Sequence, residues 1–190
     1  SRRIPIFLYF VKEKLLLMAE VLLIDNFLER VYSDKHLLLD VRSESEFYHG
    51  RIPGSFNIPL LNDEARKEVG ITYKKKGRSE AVEKGFELTG GKFVVFIKQV
   101  KNILSEQQTT IDKPQTVFLY CWRGGMRSGI MSWILETAGI RTILLKGGYK
   151  TYRHWALQQF EKESSLIVLG GKTGTGKTFL LNELGKRGEQ

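Results

Sequence analysis

Short apolar runs recur along this chain, separated by segments that contain glycine, proline or charged residues. The run at residues 35–41 is typical of a strand that is buried on both faces of a parallel sheet. Residues 50–59 contain two prolines and two glycines, which predict a shaped turn with a short edge strand. By the same reasoning, further strands are predicted at residues 20–24, 116–120, 142–145 and 166–169.

Between these strands, apolar residues follow helical spacing. Phe93, Phe96 and Val100 recur at intervals of three or four positions and predict a helix over residues 93–105, although residues 93–97 also have the composition of a strand. Other helices are predicted at residues 25–32, 62–70, 128–138, 149–160 and 179–186. Residues 71–90 are basic and interrupted by glycine, and they predict no element. Strands that alternate with helices indicate an α/β fold with a mainly parallel sheet.

The single cysteine, Cys121, lies directly after the predicted strand at residues 116–120. The loop that follows contains two arginines and two glycines, Arg123, Arg127, Gly124 and Gly125. A helix that begins near Ser128 would direct its unpaired N–H groups and the positive end of its dipole at the sulfur. Such surroundings favour the thiolate, which is the nucleophilic form of cysteine. The same N–H groups would also hold an oxyanion.

Two interpretations of Cys121 are open, a catalytic nucleophile and an inert buried thiol. Its position at a strand end and the glycines beside it favour catalysis, with Cys121 and Arg127 as the candidate catalytic residues. The candidate donor-binding loop consists of Trp122, Arg123, Gly124, Gly125, Met126 and Arg127. The spacing Cys-x5-Arg also occurs in the phosphate loop of cysteine-dependent phosphatases. Trp122 either stacks on a base or has a packing role.

Asp40 and Arg42 follow a predicted buried strand, at the edge of the sheet where sites of such folds lie. We interpret them as supporting residues, an ion pair that braces the neighbouring loop. The three histidines have no metal-ligand spacing, so no metal site is predicted; they are His36, His49 and His154.

Residues 171–178 match the phosphate-binding pattern G-x4-G-K-[ST], between a predicted strand and a predicted helix as that motif requires. Backbone N–H groups of the loop would cradle phosphates, Lys177 would reach terminal phosphates, and Thr178 would bind Mg²⁺. The expected phosphate-binding residues are Gly171, Gly174, Gly176, Lys177 and Thr178. Because few residues follow, we expect the start of a truncated P-loop domain.

Composition narrows the class of protein. With 42% hydrophobic and 27% charged residues, the chain is typical of soluble globular proteins. A net charge of +9 favours an anionic partner such as RNA or a phosphorylated small molecule, although it also serves solubility. One cysteine excludes an internal disulfide and suits the cytoplasm. No apolar run reaches the length of a membrane span, so no membrane partner is expected.

Four motifs appear in the order seen in rhodanese domains, and the chain resembles that family over about residues 20–160. They are Asp40-Val-Arg-Ser-Glu-Ser-Glu-Phe47, the segment 50–59, the Cys121 loop and Leu144-Leu-Lys-Gly-Gly-Tyr149. The resemblance implies a rhodanese-like parallel sheet flanked by helices over residues 18–161. The motif at residues 171–178 then predicts that this domain is followed by the first β-loop-α unit of a truncated P-loop domain, over residues 162–190. Residues 1–17 form an extension without an assigned fold.

In rhodaneses the loop cysteine carries a persulfide. The Cys121 loop is one residue longer than the usual rhodanese loop, and it resembles that of the rhodanese-fold cell-cycle phosphatases. A larger loop suits a bulkier anion, such as a phosphate or a phosphorylated chalcogen donor.

A rhodanese domain joined to a P-loop, with Cys-Trp-Arg-Gly-Gly-Met-Arg-Ser at the loop, resembles the tRNA 2-selenouridine synthase family. That family replaces the sulfur of wobble 2-thiouridine with selenium from selenophosphate, through an S-geranylated intermediate. The resemblance implies that Cys121 carries selenium as a selanylsulfide. It also implies tRNA, selenophosphate and geranyl diphosphate as substrates, a selenophosphate-producing enzyme as partner, and no tightly bound cofactor.

Three other functions remain open. A rhodanese-type sulfurtransferase would use the same cysteine to move sulfur from thiosulfate. A phosphatase would use the Cys-x5-Arg geometry to hydrolyse phosphate esters. An inactive fragment would retain only the binding of anions or tRNA.

Overall fold

A computed structural model of the chain describes residues 19–33, 36–107, 116–161 and 168–187. Residues 20–145 contain a five-stranded sheet in the order β1-β5-β4-β2-β3, in which every neighbouring pair is parallel. The strands are β1 (Glu20–Leu22), β2 (Leu37–Asp40), β3 (Phe56–Asn57), β4 (Thr116–Tyr120) and β5 (Arg141–Leu145). The α/β fold and the parallel sheet predicted from the sequence are therefore confirmed.

Helices join the strands of the sheet, and one further helix lies among the described residues 168–187. In chain order they are α1 (Ile24–Ser33), α2 (Glu44–His49), α3 (Asp63–Lys76), α4 (Arg78–Thr89), α5 (Phe93–Gln107), α6 (Met126–Thr137), α7 (Gly148–Phe160) and α8 (Lys177–Lys186). A short 3₁₀ turn, Gly90–Lys92, joins α4 to α5.

The sheet separates two apolar clusters, which explains why its central strands are apolar at successive positions. Leu37, Leu39 and Leu119 point into one cluster, with side chains of α5 and α6. Leu38 and Phe118 point into the other, with side chains of α1 and α7. All residues of β2 and β4 are buried. Because successive side chains of a strand face opposite ways, burial on both faces requires an uninterrupted apolar run.

Most predicted elements are present, with small differences at their ends. The predicted helix at residues 93–105 corresponds to α5. The predicted helix at 62–70 continues to Lys76, and α4 lies within the segment for which no element was predicted. The helix predicted to begin at Ser128 begins at Met126, so its first turn belongs to the Cys121 loop.

The predicted strand at residues 166–169 is corrected by the structure. Leu166 and Ile167 lie outside the described residues, whereas Val168 and Leu169 belong to no strand. Val168 is 86% exposed. A strand requires a neighbour for its hydrogen bonds, and the described residues 168–187 contain no strand.

The chain divides into two compact units, Ser1–Leu157 and Gln158–Gln190. The predicted domain bounds, 18–161 and 162–190, stay a prediction, and the extension at residues 1–17 lies outside the described residues. Within the described ranges, no helix combines the length and apolar character needed to cross a membrane.

Candidate active site

Cys121 follows β4 directly and its side chain is buried. The backbone N–H of Gly125 donates to its Sγ over 3.3 Å. The Oγ of Ser128 lies 3.3 Å from the same sulfur and donates to the carbonyl of Gly125 over 3.1 Å. Since Gly125 caps the N-terminus of α6, the sulfur lies beside the positive end of that helix, as predicted. The role of Ser128 was not predicted, although its place directly after Cys-x5-Arg is a usable signal.

The Cys121 loop is fixed by the first turn of α7. Tyr149 N–H donates to the carbonyl of Cys121 over 2.9 Å, and Lys150 N–H to that of Trp122 over 3.0 Å. A Cβ atom at Gly148 would lie 2.2 Å from the carbonyl oxygen of Cys121. The φ angle of Gly148 is 61°, in the left-handed region. The close packing of loop and helix therefore requires glycine at this position.

Asp40 and Arg42 form the predicted ion pair, and both side chains are fully buried. Nε of Arg42 bonds both carboxylate oxygens of Asp40, over 2.9 and 3.0 Å, and Nη2 also donates to the carbonyl of Gly50 over 2.6 Å. Burial opposes the charge of Arg42, but the hydrogen bonds and charge of Asp40 outweigh it and raise the arginine pKa. The guanidinium carbon lies 3.9 Å from the ring centre of Tyr149. Nη1 of Arg42 is buried and has no hydrogen-bond partner among the described residues.

Arg127 does not point freely into the Cys121 loop, because it forms a two-pronged ion pair with Glu46. Its Nη1 and Nη2 donate to the two oxygens of Glu46 over 2.6 and 3.2 Å. Nε of Arg66 lies 3.7 Å from the same carboxylate. Burial would raise the pKa of Glu46, but the hydrogen bonds and charge of Arg127, with hydrogen bonds from Ser43, lower it overall. Glu46 is therefore ionised at neutral pH.

A cavity of about 760 Å³ opens beside these residues. Four arginines line it: Arg42, Arg66, Arg127 and Arg153. The rings of Trp122 and Tyr149 and the side chain of His49 also line it, and Glu46 is the single carboxylate among its lining residues. Because positive groups outnumber the carboxylate, the cavity suits an anionic ligand. The parts played by Arg66, Arg153 and Glu46 were not predicted, since these residues are distant in sequence from Cys121.

The remaining residues of the predicted donor loop lie elsewhere on the surface. Arg123 and Met126 are exposed, and neither lines the cavity. Gly124, with a φ of 60°, packs against the turn that precedes α7. Of the three histidines, His36 stacks on Phe118. Among the described residues, no group of three His, Cys, Asp or Glu side chains could hold a metal ion.

The predicted phosphate-binding loop belongs to the second unit. Gly171, Gly174 and Gly176 all have positive φ angles, and Gly176 precedes α8. Nζ of Lys177 donates to the carbonyls of Gly171 and Lys172, over 2.7 Å each. Thr178 is exposed in the first turn of α8. The loop thus curls around its own lysine, and its ligand stays a prediction.

Comparison with known proteins places this geometry in context. A sequence model of the rhodanese-like domain matches residues 24–154. The chain is 43% identical over 151 residues to a protein of Sulfurovum sp. (strain NBC37-1) named tRNA 2-selenouridine synthase. It is 41% identical over 168 residues to a protein of the same name from Hydrogenovibrio crunogenus (strain DSM 25203 / XCL-2). These alignments cover 77% and 84% of the chain but 40% and 45% of the relatives, so the chain spans less than half their length.

Among solved structures, the chain is similar to the N-terminal domain of a predicted ATP/GTP-binding protein from Clostridium difficile 630. The two are 34% identical with a TM-score of 0.63, and the match covers 73% of this chain and 99% of that domain. The resemblance drawn from the four motifs and the rhodanese-like fold are both confirmed.

Proposed function

We propose, from the premise that this chain belongs to the rhodanese-like domain family, that Cys121 serves a transferase that exchanges sulfur for selenium in tRNA. The observation that carries the proposal is the 43% identity to a protein named tRNA 2-selenouridine synthase. An alignment that covers 77% of a chain of 190 residues must include Cys121. The Cys121 loop therefore lies within the region that aligns with this relative.

The substrates we assign are tRNA with 2-thiouridine at the wobble position, geranyl diphosphate and selenophosphate. The thiouridine sulfur first displaces diphosphate from the geranyl group. In the exchange itself, the terminal selenium of a Cys121 selanylsulfide attacks C2, and geranylthiolate leaves with the electron pair of the C2–S bond. A thiol then cleaves the S–Se bond, which gives 2-selenouridine and a mixed disulfide on Cys121. To reload the cysteine, the selenium of selenophosphate displaces the thiol from this disulfide, and water cleaves the Se–P bond to release phosphate, so the whole cycle involves no net oxidation or reduction.

Cys121 is the residue to which we assign the transport of selenium within the site. Selenium bound to cysteine sulfur as a selanylsulfide is two electrons more oxidised than selenide. Loading from selenophosphate therefore passes two electrons to a disulfide oxidant, and release to C2 takes two electrons from a thiol reductant. Selenophosphate comes from a selenophosphate-producing enzyme, and we place the reaction in the cytoplasm.

The contacts around the sulfur support a nucleophilic role. The Gly125 N–H and the Ser128 hydroxyl both lie within hydrogen-bond distance of Sγ, at the N-terminus of α6. The Gly125 N–H and the positive end of the α6 dipole stabilise negative charge on sulfur, and the Ser128 hydroxyl does so when it turns from the Gly125 carbonyl to Sγ. Because carboxylates pair with Arg42 and Arg127, the positive charge at the adjoining cavity, where an anionic donor would bind, comes mainly from the other lining arginines, Arg66 and Arg153.

Replacement of the nucleophile tests the proposal. We expect Cys121→Ser to lower selenium incorporation into 2-thiouridine tRNA by at least about 100-fold, because serine is a far weaker nucleophile at neutral pH. Nucleoside mass spectrometry after incubation with selenophosphate and geranyl diphosphate measures the product. Thermal unfolding of both proteins controls for folding, and Ser105→Ala, an exposed site on α5, controls for handling. Undiminished incorporation by Cys121→Ser would contradict the assignment.

One contact favours a second candidate, a phosphatase. The hydroxyl of Ser128, directly after the Cys-x5-Arg spacing, lies 3.3 Å from Sγ. In this reaction the thiolate attacks phosphorus, the ester P–O bond breaks, and water then hydrolyses the phosphocysteine. Hydrolysis of an aryl phosphate that is lost in Cys121→Ser, without selenium incorporation by the unchanged chain, would favour this candidate.

A further inference from the structure

The cavity beside the Cys121 loop combines two kinds of lining that a small inorganic donor does not need together. Trp122 and Tyr149 contribute aromatic rings, whose centres lie 5.8 Å apart. Arg66, Arg127 and Arg153 contribute guanidinium groups. Aromatic faces offer nothing to an oxyanion, whereas they stack well on nucleobases. The lining therefore matches a ligand with both a base and a phosphate.

Arg42 supplies an independent indication that a ligand completes this cavity. Its side chain is fully buried and lines the cavity, yet Nη1 has no hydrogen-bond partner in the described structure. Asp40 occupies Nε and Nη2, so Nη1 is the corner of the guanidinium group that remains for another acceptor. Buried polar groups are normally paired, and each exception calls for an explanation. A ligand oxygen in the cavity would satisfy this donor.

Further aromatic rings continue from the cavity along α7. Tyr149 is followed by Tyr152 at 5.8 Å between ring centres, and Tyr152 by Trp155 at 6.0 Å. The spacing of these residues along the helix puts them on one side of it. With Trp122 they form a row of four partly buried rings that begins at the Cys121 loop. The three rings on α7 also pack against the apolar cluster that contains Phe118, so they hold the aromatic wall of the cavity in place. Trp122 does not belong to that cluster and is the ring that we assign to a base.

We propose that the cavity receives one nucleotide turned out of single-stranded RNA, with its base stacked on Trp122. Arg66 and Arg153 bind the flanking phosphates, and Nη1 of Arg42 donates to an oxygen of the nucleotide. The base then lies at the loop that begins with Cys121, where its exchange takes place. This assignment rests on the proposed function, to which it adds the site for the RNA substrate.

Binding experiments on a chain without the nucleophile test this site separately from the chemistry. We use Cys121→Ser as background and a fluorescently labelled anticodon stem-loop RNA with 2-thiouridine at the wobble position, without a selenium donor. Adding Trp122→Ala should weaken RNA binding by roughly 5- to 100-fold, the range for loss of one base–aromatic stack. Trp122→Phe should retain most of the affinity because it keeps a ring.

Trp133→Ala is the matched control, since Trp133 is half exposed on α6, contacts Phe93 and does not line the cavity. It should leave RNA affinity unchanged. Equal effects at the two tryptophans, or none at Trp122, would overturn the proposal. So would a Trp122→Ala variant that binds RNA normally but binds inorganic phosphate more weakly, because the cavity would then be a donor site.

Different results would contradict the proposed function and the proposed RNA site. Selenium incorporation that is abolished by Cys121→Ser but insensitive to Trp122→Ala would leave the function and overturn the RNA site. Selective loss of RNA binding in Trp122→Ala, in a chain that never incorporates selenium, would leave the RNA site and contradict the function.

Discussion

Glu46 controls the charge that an incoming anion meets beside the Cys121 loop. Its carboxylate accepts from Arg127, lies 3.7 Å from Arg66 and also accepts from the N–H and hydroxyl of Ser43, over 3.1 Å each. It therefore holds the first turn of α2 and neutralises part of the arginine charge at once. An anionic ligand that uses Arg127 must compete with this carboxylate.

Removal of this competition should strengthen anion binding. We expect Glu46→Gln to bind inorganic phosphate roughly 3- to 10-fold more tightly, because the amide keeps an acceptor for Ser43 but no longer neutralises Arg127. Isothermal titration calorimetry measures the affinity. Glu87→Gln is the matched control, since Glu87 pairs with Lys84 on α4 and lies outside the cavity. If phosphate affinity changes equally in both variants, or in neither, Glu46 does not compete with the anion for Arg127.

Titration of Glu46 should also make the gain in phosphate affinity of Glu46→Gln depend on pH. The pKa of Glu46 is lowered from its ordinary value of 4.5, so the carboxylate is charged above that value in both the folded and the unfolded chain. Its stabilising contribution is therefore present at neutral pH and is lost as the pH falls through the lowered pKa. The difference in phosphate affinity between the unchanged chain and Glu46→Gln should disappear over the same acidic range.

At the scale of elements, the first turn of α7 and the Cys121 loop form one rigid unit. The turn supplies the N–H groups of Tyr149 and Lys150 to the loop carbonyls, and Gly148 leaves room for that approach. These two hydrogen bonds, 2.9 and 3.0 Å long, form only while both backbones remain close. The geometry of the thiol thus depends on a helix that is distant from it in sequence.

We expect Gly148→Ala to lower the free energy of unfolding by about 2–4 kcal/mol, because alanine is strained at a φ of 61° and its Cβ would lie 2.2 Å from the Cys121 carbonyl oxygen. Gly129→Ala is the control, since a Cβ there meets nothing within 4 Å. That change should stabilise α6 by about 0.5–1 kcal/mol. Urea unfolding compares the two variants, and effects of the same sign would contradict this explanation.

The sequence pattern predicted best those elements whose buried residues form a regular apolar pattern within the element itself. β2 and β4 have uninterrupted apolar runs. In α5 the helical spacing of apolar residues decided the prediction, although residues 93–97 also have the composition of a strand. The helices α3 and α4 were difficult because few of their side chains are buried, namely Ala65, Ala81 and Thr89. Contacts between these helices include the ion pair of Lys84 and Glu68, which no apolar periodicity reveals.

In the candidate site, too, the residues that are close together in sequence were predicted and those that are far apart were not. The Cys121 loop and the pair Asp40–Arg42 are short segments, so spacing alone predicted them. The pair Glu46–Arg127 joins residues 81 positions apart. The parallel pairing of β2 with β4 brings the loops that carry them to one edge of the sheet. Such contacts depend on strand order, which a single sequence does not specify residue by residue.

At the scale of the whole molecule, a net charge of +9 would attract RNA to many parts of the surface. Local and general attraction differ in one measurable respect. A phosphate bound by a particular arginine releases its counterions at that contact, whereas a diffuse excess of charge changes little when one distant cation is removed. The salt dependence of binding therefore separates the cavity from the rest of the surface.

Arg153→Gln and Lys98→Gln each remove one positive charge, but only Arg153 lines the cavity, whereas Lys98 is exposed on α5. We expect the slope of log affinity for the stem-loop RNA against log salt to become shallower by about 0.7 in Arg153→Gln, the value for one contact to a single strand. Lys98→Gln should keep the slope of the unchanged chain, and fluorescence anisotropy at several salt concentrations measures both. If the two variants lose the same slope, the RNA is attracted by the overall charge and the cavity has no special part in binding it. If only Arg153 matters, one phosphate lies at the cavity, and the positive charge elsewhere serves mainly to bring the RNA near it.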